Sequence, residues 1–163
     1  MRGHFLLFIV FVVFILVINS CAKEKADVSY AWGNEAFYLL LKDTAGHAFY
    51  KNNPAILAKA SASPHDAFRV RFNKKAQSVL GSDGKLPDNG VFPDSSLIVK
   101  EIYTATSGGN LKQYAGMYKL NGSWQWGEYD PEGKTDYSVF LEGKDCTSCH
   151  SGNKDLVMTF FFH

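Results

Sequence analysis

The residues whose types and spacing carry the most explicit chemistry are Cys146, Cys149 and His150, in the run Cys146-Thr147-Ser148-Cys149-His150. Two thiols in a C-x-x-C frame followed directly by an imidazole match the attachment site of a c-type haem. Each thiol can add across a porphyrin vinyl group, and the imidazole stands where it can become the proximal iron ligand. A disulfide between the two thiols would close a very small loop, constrain the unfolded chain little and leave His150 without a role. A zinc site would need a second ligand pair at matching spacing, and the chain has none. The run therefore implies one covalently attached haem c, with the iron supplying the redox or ligand chemistry and the protein its surroundings.

The remaining cysteine belongs to the leader. Arg2 and His4 precede an apolar run from Phe5 to Ile18 that breaks at Asn19-Ser20-Cys21, the pattern of a secretory signal over residues 1–20. Val17-Ile18-Asn19-Ser20-Cys21 resembles a bacterial lipoprotein processing box, which implies a diacylglyceryl thioether on Cys21. The chain would then be exported and lipid-anchored to the cell-envelope membrane, facing the periplasm. The outer membrane is favoured, because Ala22-Lys23 does not resemble the acidic inner-membrane retention signal. An uncleaved single transmembrane anchor is the alternative, since the apolar run falls a little short of a full span. Residues 21–27 read as a tether. The whole chain has 17 Lys and Arg against 16 Asp and Glu, and losing the leader removes only Arg2. A balanced chain without a basic run gives no reason to expect nucleic acid or an anionic membrane surface as a partner. The mature length suits one domain.

Positioning these groups falls to the elements between. Ala31, Trp32, Phe37, Leu40 and Leu41 are spaced for a helix, and Ile56 to Ala60 for a shorter one, so residues 28–62 read as a helical N-terminal segment. Phe68, Phe72, Ala76, Val79 and Leu80 predict a second helix that starts near Pro64 and Asp66, with His65 in a capping role, and ends at Gly81. After a loop to Pro93, stretches 97–104, 111–120, 123–129 and 137–141 are rich in β-branched and aromatic residues and are separated by turn chemistry such as Asn121-Gly122. Short successive connections predict an antiparallel meander. The expected fold class is α+β: N-terminal helices, then an antiparallel sheet meander packing one haem.

On the first of these strands, Ile98, Lys100 and Ile102 share one face; Leu97, Val99, Glu101 and Tyr103 share the other. Two charges inside an apolar strand ordinarily mark a protected edge. A resemblance gives Lys100 another meaning. Phe92-Pro93-Asp94-Ser95-Ser96-Leu97-Ile98-Val99-Lys100-Glu101, Trp124-Gln125-Trp126, Cys146-x-x-Cys149-His150 and Asp155-Leu156-Val157-Met158-Thr159 stand in the order and approximate spacing of the cytochrome P-460 family, which residues 63–163 resemble. The resemblance implies a haem domain over 63–163, with His150 as proximal iron ligand and the opposite iron face open. It places Lys100 where hydroxylamine-oxidising members have a lysine covalently bonded to the porphyrin edge. It also implies a small nitrogen compound or diatomic gas as ligand, an electron-transfer partner cytochrome, and dimerisation. A lysine against an apolar haem face is desolvated, which favours a neutral nucleophilic amine.

Hydroxylamine-oxidising relatives are expected to hold a carboxylate near the open iron position, to accept substrate protons. The 111–120 strand contains no acid, so the pocket is expected to be acid-free, with Tyr114, Met117 or Tyr118 turned to the iron. Glu128, on the strand face of Trp124 and Trp126, is the nearest carboxylate that could reach it. Three functions remain open: an oxidoreductase acting on hydroxylamine or nitric oxide, a non-catalytic nitric oxide or carbon monoxide binder, and an electron carrier with Met158 as sixth ligand. Met158 otherwise reads as core, His47 as surface, and Phe160-Phe161-Phe162 as burying against the body or a second subunit.

Overall fold

Six antiparallel strands pair in sequence order to make one sheet: β1 (Ala48–Phe49), β2 (Ala67–Phe72), β3 (Leu97–Tyr103), β4 (Leu111–Leu120), β5 (Ser123–Tyr129) and β6 (Thr135–Tyr137). The computed structural model describes residues 33–59 and 63–159. The leader, the tether, Cys21 and Phe160-Phe161-Phe162 lie outside these residues. Among those described, no helix is long and apolar enough to cross a membrane.

The fold is mainly β, which corrects the α+β expectation. The helices among the described residues are short: α1 (Asn34–Lys42), α2 (Lys74–Gln77) and α3 (Lys144–His150). The helix expected from Phe68 to Leu80 is a strand followed by a single helical turn. Phe68 and Phe72 are four apart, a spacing that suits a strand face as well as a helix face. Val70 between them joins the same buried cluster, so the period is two. Asn73 then caps α2, its side chain accepting from the Ala76 N–H at 2.9 Å. Leu57 makes an isolated bridge to Phe68 where a short helix was expected. The strand expected over 137–141 meets β6 only at Tyr137, and Val139–Leu141 form a 3₁₀ turn instead.

Each sheet face has its own core. On one, α1 lays Phe37, Tyr38 and Leu41 against Leu97, Val99 and Tyr129. The close approach depends on the cross-strand pair Gly116 and Gly127. A Cβ on Gly116 would lie 2.1 Å from Leu41, and one on Gly127 would lie 2.7 Å from Phe37. The Asn34 side-chain oxygen accepts from Tyr129, Ser138 and the Val139 N–H at 3.0–3.3 Å, fixing the start of α1. On the other face, Phe68, Val70, Phe72, Phe92, Ile98, Met117, Trp124 and Trp126 form the second core, with Val157 from the C-terminal segment. The type I′ geometry of Asn121 (φ 50°) and Gly122 (φ 77°) sets the β4–β5 register that aligns these side chains.

Candidate functional site

The second face does not close. Between the sheet and α3 lies a cavity of about 610 Å³, within the size range of cofactor sites. Alternation decides what faces it. β2 contributes Phe68 and Val70, β3 Ile98 and Lys100, β4 Gln113, Ala115 and Met117, and β5 Trp126 and Glu128. The opposite wall is Cys146, Cys149 and His150 on α3, with Val157, Met158 and Thr159 beyond it. Both cysteines are free thiols. Burial pushes the Cys146 thiol up to about 11.

His150 is held in one orientation. Its Nδ1 lies 2.7 Å from the Leu156 carbonyl oxygen. A carbonyl only accepts, so Nδ1 carries the hydrogen and Nε2 keeps its lone pair free for a metal. The Trp126 ring meets the imidazole edge-on, with centroids 4.8 Å apart and planes at 81°. Gly143, at φ 69°, lets α3 begin over Trp126; a Cβ there would fall 2.1 Å from the indole.

Lys100 stands in the cavity wall with its ammonium 4.1 Å from the centroid of Phe68. Among the described residues no hydrogen bond or ion pair is made to it. Burial lowers its pKa to about 8, against a smaller opposing pull from Glu128. Its neighbour Glu101 points to the other face, where Arg69, Arg71 (2.7 Å) and the Tyr103 hydroxyl (3.0 Å) all reach its carboxylate.

The cavity holds an acid, which corrects the acid-free expectation. Glu128 lines it, with its pKa raised first by burial and then by Asp136. Gln113 donates to Glu128 at 3.2 Å and to the exposed Asp136 at 3.0 Å. Of the three expected iron-facing residues, only Met117 lines the cavity; Tyr114 and Tyr118 pack with α1 on the closed face. His65 is no helix cap. It lines the cavity with Nε2 3.8 Å from Glu128, and burial, then Lys100, depress its pKa to about 4. The neutral imidazole thus joins a carboxylate and an amine in one apolar chamber. His47 lies outside the cavity near Asp43 and Arg71. Met158 lines the cavity wall.

The donor set fits a c-type haem: two free thiols and an imidazole with an anchored Nδ1 border one chamber of predominantly apolar lining. No cluster of three or more His, Cys, Asp or Glu suited to a bare metal ion occurs among the described residues. No family model matches the chain, and no curated protein matches it.

Proposed function

We propose that this chain is an exported, lipid-anchored monohaem c-type cytochrome that oxidises a small nitrogen compound of the hydroxylamine or nitric oxide class. The carrying observation is the convergence of Cys146, Cys149 and His150 with Lys100, Glu128 and His65 on one cavity. Cys146 and Cys149 would bind the haem covalently and His150 Nε2 would ligate its iron. When bound, the haem supplies a redox-active iron with a ligand position for a small molecule. Every other task falls to the chain. Phe68, Val70, Ile98 and Met117 keep water out. Lys100, with a depressed pKa and no ion pair among the described residues, is more readily deprotonated to a nucleophilic amine than an ordinary lysine, which suits the porphyrin cross-link that the family resemblance suggests. Glu128 accepts the protons that leave the N–H and O–H groups of a hydroxylamine-class substrate as electrons are withdrawn, and Gln113, donating to Glu128 and to the exposed Asp136, holds its carboxylate in place. His65 beside it offers a second neutral base. The electrons pass on to a partner cytochrome. Two proton acceptors inside the chamber favour proton-coupled oxidation over simple gas binding.

The test is expression with a haem-maturation system, followed by mass and reduced-state absorption spectra and hydroxylamine turnover with an artificial acceptor. The expected result is one haem per chain, a red-shifted Soret band lost in Lys100→Ala, and turnover that falls ~10²-fold or more in Glu128→Gln. A chain that takes up no haem overturns the proposal. A haem-loaded chain that binds carbon monoxide but never turns over, or that ignores carbon monoxide, reduces it to a gas binder or a carrier.

A further inference from the structure

We infer that Asp155 is the positioning residue for the His150 imidazole, acting through the backbone of Leu156; this rests on the reading of His150 as the iron ligand. The segment after α3 makes an unusual turn. Asp155 (φ 45°, ψ 40°) and Leu156 (φ 62°) are consecutive left-handed residues, neither of them glycine. Such a conformation is unfavourable for residues other than glycine, and persists where the surroundings over-determine it. What the turn achieves is specific: it brings the Leu156 carbonyl back to Nδ1 of His150. A metal-ligating histidine is made more basic and fixed in tautomer by such an acceptor.

The over-determination comes from Asp155. One carboxylate oxygen accepts from Lys119 at 2.6 Å and from the Trp124 indole at 3.2 Å. The other accepts from the Phe92 backbone N–H at 2.8 Å. The Asp155 carbonyl accepts a further bond from Trp124 at 2.9 Å. Lys119 is itself buried, with its ammonium also 4.9 Å from the Trp124 ring. Three separate places in the fold (the loop before β3, β4 and β5) therefore grip one side chain and its carbonyl. The residue they hold comes directly before the carbonyl that orients His150.

The test reads His150 itself. Side-chain ¹⁵N correlation spectra of the chain expressed without haem give its tautomer. The parent should be the Nδ1–H form, and Asp155→Ala should relax to a mixture of both tautomers. Asp155→Asn keeps an acceptor for some of these donors, so it should fall between them; it decides the matter if the alanine variant does not fold. In the haem-loaded chain, Asp155→Asn should keep both thioether bonds, with no change in haem mass, while the iron–histidine stretching band moves to lower frequency. A folded Asp155 variant whose tautomer stays with the parent overturns the inference. Failure of the parent to take up haem overturns the reading of His150 as ligand but leaves the tautomer result standing.

Discussion

Two adjacent positions of β3, one on each face of the sheet, treat a buried charge in opposite ways. On the α1 face the buried charge is satisfied: Glu101 receives Arg69, Arg71 and Tyr103, and paired glycines let a helix fill the remaining space. On the α3 face, one residue earlier in β3, Lys100 faces a chamber with its ammonium over the Phe68 ring and, among the described residues, no hydrogen bond or ion pair. A structural charge comes with its counter-ions. A charge left without them, beside a cavity, is a candidate for chemistry.

Removing Glu101 is the hardest test of that contrast. Glu101→Ala would leave two guanidiniums beside each other on a buried face. Breaking a buried pair costs about 3–5 kcal/mol, and the partial exposure of both arginines places this case at about 3 kcal/mol. Lys100→Met, on the adjacent residue of the same strand, should cost nothing or stabilise the haem-free chain, since it removes a desolvated ammonium. Urea unfolding of both variants checks this. Equal losses would erase the distinction between the faces.

The pH dependence sharpens the same contrast with a smaller effect. The folded pKa of Lys100, about 8, lies below its ordinary 10.5. Between these values the unfolded chain binds more protons than the folded one, so this group makes stability rise with pH across the window. The full shift corresponds to about 3 kcal/mol, and partial solvent contact reduces that to about 2 kcal/mol. Cys146, held at about 11, and Tyr129, held at about 12, act in the opposite direction above about pH 9. The readout is therefore the difference between Lys100→Met and the parent. The variant's advantage should be greatest below pH 8 and vanish by about pH 10.5. A difference that is flat in pH would mean that Lys100 is not desolvated.

Much of this was legible in the chain and some was not, for identifiable reasons. Alternation along β3 and β5 correctly separated Lys100 from Glu101 and put Glu128 on the face of Trp126, because a strand's period is two whatever it packs against. The same reasoning misread β2: Phe68 and Phe72 fit either period. The deciding residues, Arg69 and Arg71, are explained by Glu101, 30 or more positions away. His65 looked like a cap because its use depends on Glu128 across the sheet. Asp155 entered only as the first residue of a family-like segment; its role was hidden, since its side-chain donors Lys119 and Trp124 are at least 31 residues distant.

The smallest expected effect compares two adjacent rungs of the β4–β5 ladder. Gly116 pairs with Gly127 and faces α1; Ala115 pairs with Glu128 and faces the cavity. Gly116→Ala adds one carbon where Leu41 already sits, with three of its side-chain carbons within 2.9 Å of the new atom. Leu41 is fully buried, so it cannot swing into solvent. It must shift α1 or leave its rotamer, and overpacking of this kind costs about 1–3 kcal/mol. Ala115→Val adds two carbons to the wall of an open chamber and should cost the haem-free chain less than that. In the haem-loaded chain the order should tighten, because the added carbons then compete with the group that fills the space. Thermal unfolding of both variants, with and without haem, measures the gap. A cost for Ala115→Val as large as that for Gly116→Ala in the haem-free chain would mean that the α3 face is packed like the α1 face, and that the cavity is not available to a cofactor.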